Sequence, residues 1–155
     1  MISLRRILVA TDFSPCAIRA VEYACELADR FSAELHLLHV VQDFEAGLVV
    51  PGLGFPPPEV FRREVYEKSQ QALEQIPEPL WCEGNVVIRE ICYGSPFAEI
   101  IRSAQAHDVS LIVLGTHGRT GLLHAMLGSV AEKVVRKASC PVLTVRPIGH
   151  QFVTN

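Results

Sequence analysis

The chain has 155 residues, enough for about one domain that buries a core without covalent staples. Hydrophobic residues make up 49% and charged residues 20%, which excludes an intrinsically disordered chain. A net charge of −3 and a pI near 6.1 exclude a general field for attracting nucleic acid. Any phosphate site must therefore be local.

Arg5 and Arg6 lead into Ile7–Ala10, an apolar run suited to a strand covered on both faces. The run stops at Thr11-Asp12, too soon for a signal-peptide core, and no later run approaches the ~18 residues that span a bilayer. Ser14-Pro15 then opens a helix, with Ser in the cap place and Pro at the first helical position. Ile18, Val21, Cys25, Ala28 and Phe31 recur at helical spacing and predict its buried stripe. Residues 34–41 read as the second strand, and His36 and His39 within it are expected on opposite faces, not as a metal pair.

Residues 42–58 break this rhythm with prolines and glycines among apolar side chains (Phe44, Leu48, Val49, Val50, Leu53, Phe55). A loop this long is usually functional, as a lid or a surface for a protein partner, or disordered. A helix is expected from Glu59 to Ile76, with Phe61, Val65, Ala72 and Ile76 toward the core. A Pro-rich turn with Trp81 follows, then a strand near residues 85–92. Ser95-Pro96 repeats the helix-opening device, and that helix ends near His107. Val109–Leu114 is the next strand, Val130–Lys137 a helix, and 141–146 the last strand. The five cysteines (16, 25, 82, 92 and 140) are odd in number and hold no C-x-x-C pair, so they read as reduced thiols of a cytoplasmic protein.

Strands alternating with helices imply an α/β fold with a mostly parallel sheet. Right-handed crossovers put all strand C-termini on one edge, and ligands sit beyond that edge where strand order reverses. Asp12 ends the first strand there. Gly115 ends the fourth and opens the segment that runs through Gly118 to Gly128-Ser129 at a helix start. Glycines let the backbone approach an anion, and the N–H groups of a helix start carry about half a positive charge. This is not the G-x4-G-K-[S/T] loop, because no Lys follows Gly128. It is not the dinucleotide G-x-G-x-x-G pattern either, since Asp12 lies far upstream.

Along nearly its whole length the sequence resembles the universal stress protein family. The segments that carry the likeness are residues 7–14, 37–40, 111–118, 127–132 and 139–145. The pattern G-x2-G-x9-G-[S/T] is complete at Gly115, Gly118, Gly128 and Ser129, and in that family it marks the ATP-binding branch. The resemblance implies a single open, doubly wound parallel sheet of five strands in the order 3-2-1-4-5, with helices on both faces. The domain would span 1–147, with 148–155 a loose tail. It further implies ATP as the ligand, which Mg²⁺ can accompany. Thr11 and Asp12 would lie by the adenosine, Val40 against adenine, and Gly115, Gly118, Gly128 and Ser129 around the phosphates, with the Val130 amide beside them. A homodimer through Val142–Val145 is the implied assembly, an apolar sheet edge that tends to pair.

Two of these residues also have plainer readings. Asp12 can start the turn into the first helix, but a carboxylate repels phosphate, so a ribose hydroxyl is its sensible partner. Ser129-Val-Ala-Glu132 reads as a capping box that would compete for the serine hydroxyl. His117, Arg119 and His124 are either phosphate contacts or a solvated loop face, and no catalytic residue or metal ligand is nominated. The function expected is a nucleotide-dependent regulatory or stress-response protein that binds neither nucleic acid nor membrane. The alternatives are a slow ATPase or phosphotransferase, or a nucleotide-independent interaction module.

Overall fold

In the computed structural model the described residues are 1–42, 58–82, 84–118 and 127–147. Five strands, β1 (Arg6–Ala10), β2 (Glu34–Val41), β3 (Val87–Tyr93), β4 (Leu111–Gly115) and β5 (Val142–Val145), form one sheet in the order β3-β2-β1-β4-β5. Every pairing is parallel, with Leu8 opposite His36 on β2 and Ile112 on β4. The expected doubly wound order is thus present. Four helices pack on the sheet: α1 (Pro15–Phe31), α2 (Pro58–Glu74), α3 (Pro96–Ala106) and α4 (Ser129–Lys137).

Side chains alternate across a strand, so each inner strand feeds both layers. Ile7, Val9, Leu35, Leu37, Leu111 and Val113 pack with Ala20, Val21, Ala24, Cys25 and Ala28 of α1 and Leu73 of α2. Leu8, Leu38, Ile112 and Leu114 pack on the other face with Ile100 and Ala104 of α3 and Ala131 and Val134 of α4. This is why β1, β2 and β4 read as continuous apolar runs. His36 and His39 follow the same parity: His36 packs on His107 at the end of α3, and His39 on Phe13 before α1.

The helix stripes differ from the expected ones in detail. On α1 small residues make the contact, and Phe31, the last residue of the helix, is 45% exposed. On α2 the buried positions are Ser69 and Leu73, with Val65 and Ala72 half-buried and Phe61 exposed; the helix ends at Glu74, so half-buried Ile76 lies two residues past it. Two strands start two residues later than expected: before β3, Asn85 still belongs to the turn after the short 3₁₀ helix Pro79–Trp81, and before β4, Val109 still donates back to the Ala104 carbonyl of α3. Among the described residues no helix is long and apolar enough to cross a membrane.

Candidate functional site

The end of β1 turns sharply into α1. Thr11 Oγ1 accepts the Phe13 N–H at 3.0 Å, and Asp12 Oδ1 accepts the Ser14 N–H at 3.0 Å. Between them Phe13 is held at a φ of 64°, a conformation that side-chain-bearing residues adopt only under constraint. The constraint comes from β2. His39, itself buried, donates from Nδ1 to the Thr11 carbonyl at 2.8 Å, and its ring lies 4.5 Å from that of Phe13. Ser14 then caps α1, accepting the Ala17 N–H at 3.3 Å.

The end of β4 lies beside this turn. Thr116 is buried and its carbonyl accepts the Gly128 N–H at 2.6 Å, which ties the start of α4 to the end of β4. Thr116 Oγ1 lies 2.8 Å from His117 Nδ1. A Cβ on Gly118 would sit 2.9 Å from Asp12 Oδ2, so the two segments meet at a carboxylate and a bare backbone. None of Gly115, Gly118 and Gly128 has a positive φ; what they supply is space.

The capping box expected at Ser129 is corrected by the position of the cap. Gly128 is the N-cap of α4, its carbonyl accepts the Glu132 N–H at 2.9 Å, and no side chain caps this end. Ser129 is therefore the first helical residue and is exposed. The first intrahelical bond runs from Glu132, so the N–H groups of Ser129, Val130 and Ala131 precede it. The Gly128 N–H, by contrast, is already committed to Thr116.

These parts enclose a crevice of about 470 Å³ beyond the C-terminal strand ends, and β1 and β4 flank the point where strand order reverses. Thr11, Asp12, Val40, Gly115, Gly118, Gly128, Ser129 and Val130 all line it. The structure thus brings together every residue that the motifs nominated. It adds His39 and Thr116, and Val65 and Ser69 of α2 with Pro96 and Ile100 of α3. Parity in β2 puts His39 beside Phe13, yet the sequence alone does not say that its proton would serve the Thr11 carbonyl. Arg119, His124 and residues 43–57 lie outside the described residues. Among the described residues the lining contains no Lys or Arg, and no group of His, Cys, Asp or Glu could hold a metal ion.

The lining combines the apolar side chains of Val40, Val65, Pro96 and Ile100 with the first turn of α4. Such a site suits a flat apolar group joined to an anion. Residues 3–146 match the model of the Universal stress protein family. The chain belongs to this family. Universal stress protein MJ0531 of Methanocaldococcus jannaschii is 34% identical over 145 residues, covering 92% of this chain and 82% of that protein. The structure of the MJ0577 protein of the same organism superimposes with a TM-score of 0.79 at 31% identity, over 94% of this chain and 98% of that one. A universal stress protein from Archaeoglobus fulgidus, solved in complex with dAMP, gives a TM-score of 0.59 at 26% identity, over 94% and 99% of the two chains. This universal stress protein therefore shares both sequence and fold with its relatives along the segment that builds the crevice.

Proposed function

We propose that this universal stress protein binds an adenine nucleotide, ATP, in the β1–β4 crevice and that occupancy regulates a stress response in the cytoplasm. The observation that carries the reading is that all eight motif residues line one cavity of about 470 Å³, within the ~300–1,000 Å³ typical of small-molecule sites. The dAMP complex of the Archaeoglobus fulgidus relative supports an adenine nucleotide as the ligand class. In this reading adenine lies against Val40, and Asp12 accepts from ribose hydroxyls. The phosphates run past Gly115, Gly118 and Gly128 to the N–H groups of Ser129 and Val130.

Regulation is favoured over catalysis by the chemistry of the described lining. Phosphoryl transfer needs positioned cations and an oriented nucleophile, whereas the one carboxylate of the lining, on Asp12, already accepts the Ser14 N–H. Mg²⁺ would arrive with the nucleotide, and hydrolysis would be slow. Assembly as a homodimer through the edge strand β5 belongs to the same proposal.

The test is to purify the protein, identify co-purifying nucleotide by mass spectrometry and titrate ATP by calorimetry. Bound adenine nucleotide, or a Kd in the micromolar range, is expected. Absence of both overturns the proposal, and rapid turnover of ATP would replace it with the enzymatic reading.

A further inference from the structure

Away from the crevice, two cysteines distant in sequence come together under α1. Cys25 is fully buried in α1, and Cys82, half-buried, directly follows the 3₁₀ helix Pro79–Trp81. Both belong to one apolar cluster with Leu73, Ile76, Trp81 and Val87 that packs α1 on the 3₁₀ helix, and burial first, then the neighbouring Cys82 sulfur, raise the proton affinity of Cys25. The other cysteines are engaged elsewhere: Cys16 donates to the Val145 carbonyl at 3.3 Å, Cys92 lies beside Glu99, and Cys140 packs in the cluster on the other face of the sheet.

The pair is also asymmetric. Cys82 lines a surface cavity of about 420 Å³ that it shares with Arg89, Pro77, Pro79 and Glu78, whereas Cys25 has no access to solvent. The Arg89 guanidinium is anchored there by its Nε, which donates to the Leu73 and Ile76 carbonyls at 3.0 and 3.1 Å. Thus one thiol faces a small molecule arriving from water beside a fixed cation, and its partner waits behind it. Thiolate character and exposure decide which cysteine oxidises, and a resolving thiol in contact captures the product.

We propose that Cys82 and Cys25 form a peroxide-sensitive thiol pair, with Cys82 the attacking sulfur and Cys25 the resolving one. The Cys82 thiolate attacks one oxygen of hydrogen peroxide, the O–O bond breaks, and hydroxide leaves as water once protonated. This gives Cys82 sulfenic acid. The Cys25 sulfur then attacks the Cys82 sulfur, the S–O bond breaks, a second water leaves, and the disulfide forms. Two electrons pass from the two thiols to one peroxide. The product staples α1 to the turn that follows α2. Burial raises the proton affinity of both thiols while Arg89 opposes it, so the reaction accelerates as pH rises. The proposal is independent of whether the crevice binds a nucleotide.

The test uses the whole protein, reduced and then exposed to hydrogen peroxide, alkylated and digested without reduction for peptide mapping. A peptide pair linked through Cys25 and Cys82 within one chain is expected, and dithiothreitol should remove it. Tm should rise by about 5 °C on oxidation, as for a cross-link that constrains the unfolded chain, and Cys82→Ser should abolish the rise. In Cys25→Ala, a small-for-small change at a buried site, Cys82 should accumulate as sulfenic acid that dimedone traps. Linkage between different chains, linkage of other cysteines, Cys82 left unoxidised, or Cys82 driven to sulfinic acid in the wild-type chain would each overturn the proposal.

Discussion

A Cβ added to Gly115 would lie 3.0 Å from the Cys16 sulfur and 3.1 Å from the Cys16 carbonyl, at the contact between β4 and α1. A Cβ on Gly118 would meet only the far end of the Asp12 side chain, at 2.9 Å. Residues of one motif therefore answer to different neighbours. Gly115→Ala should destabilise the protein by about 1–3 kcal/mol in chemical denaturation, because backbone rather than a mobile side chain must give way. Gly118→Ala should leave stability within about 0.5 kcal/mol. It should displace the Asp12 carboxylate, however, and weaken ATP binding about tenfold by calorimetry, roughly 1.4 kcal/mol. An unchanged affinity in Gly118→Ala would count against Asp12 as a ligand contact. Sequence spacing pointed to both glycines, and both line the crevice, but only the packing of α1 on β4 shows that Gly115 also carries a structural contact.

The two helix starts make a matched comparison. Each offers a serine at its opening, but Ser14 accepts the Ala17 N–H while Ser129 stands one position past the cap. Ser14→Ala should thus cost about 1 kcal/mol, whereas Ser129→Ala should change stability by less than about 0.5 kcal/mol. Thermal melts of the two variants distinguish these values. If Ser129→Ala also weakens ATP binding, the hydroxyl is a ligand group rather than a cap. Equal losses of stability in both variants would restore the capping box. The S-x-x-E pattern was legible at 129–132, but the Gly128–Thr116 bond draws the chain in one residue earlier and moves the cap to Gly128.

Across the whole molecule, the end of the sheet remote from the crevice carries a buried histidine, His36. His36 is 5% exposed and its Nε2 makes no hydrogen bond, with Glu34 Oε2 3.7 Å away. Its ring lies 4.7 Å from that of His107, which itself pairs with Glu90. Desolvation, and then His107, hold the His36 pKa below its ordinary value of 6.5. In the unfolded chain the group takes up a proton near that ordinary value while the folded state does not. Stability is therefore complete above about pH 6.5 and falls as pH drops from there through the lower folded value. Denaturation midpoints measured from pH 8 to pH 5 should decline, and His36→Leu should flatten the decline; an identical slope in the variant would remove His36 as its source. Assembly belongs to the same scale. Light scattering should return twice the 17.1 kDa chain mass if β5 pairs with a second copy, and a monomer would refute that part of the proposal.

Local regularities in the chain were sufficient for the strands, the helix openings and the parallel sheet, because apolar period, Ser-Pro starts and glycine spacing are properties of neighbouring residues. The order of strands came instead through the resemblance to the universal stress protein family, which also made ATP the ligand expected at the anion-binding pattern of Gly115–Ser129. Tertiary structure alone decided which side of α2 is buried, that His39 holds the β1–α1 turn, and that Gly128 rather than Ser129 caps α4. It alone brought Cys25 and Cys82 into one apolar cluster and left His36 without a hydrogen bond for its Nε2. Each of these depends on which atoms meet across the sheet from positions far apart in the chain, and no pattern of near neighbours encodes such a meeting.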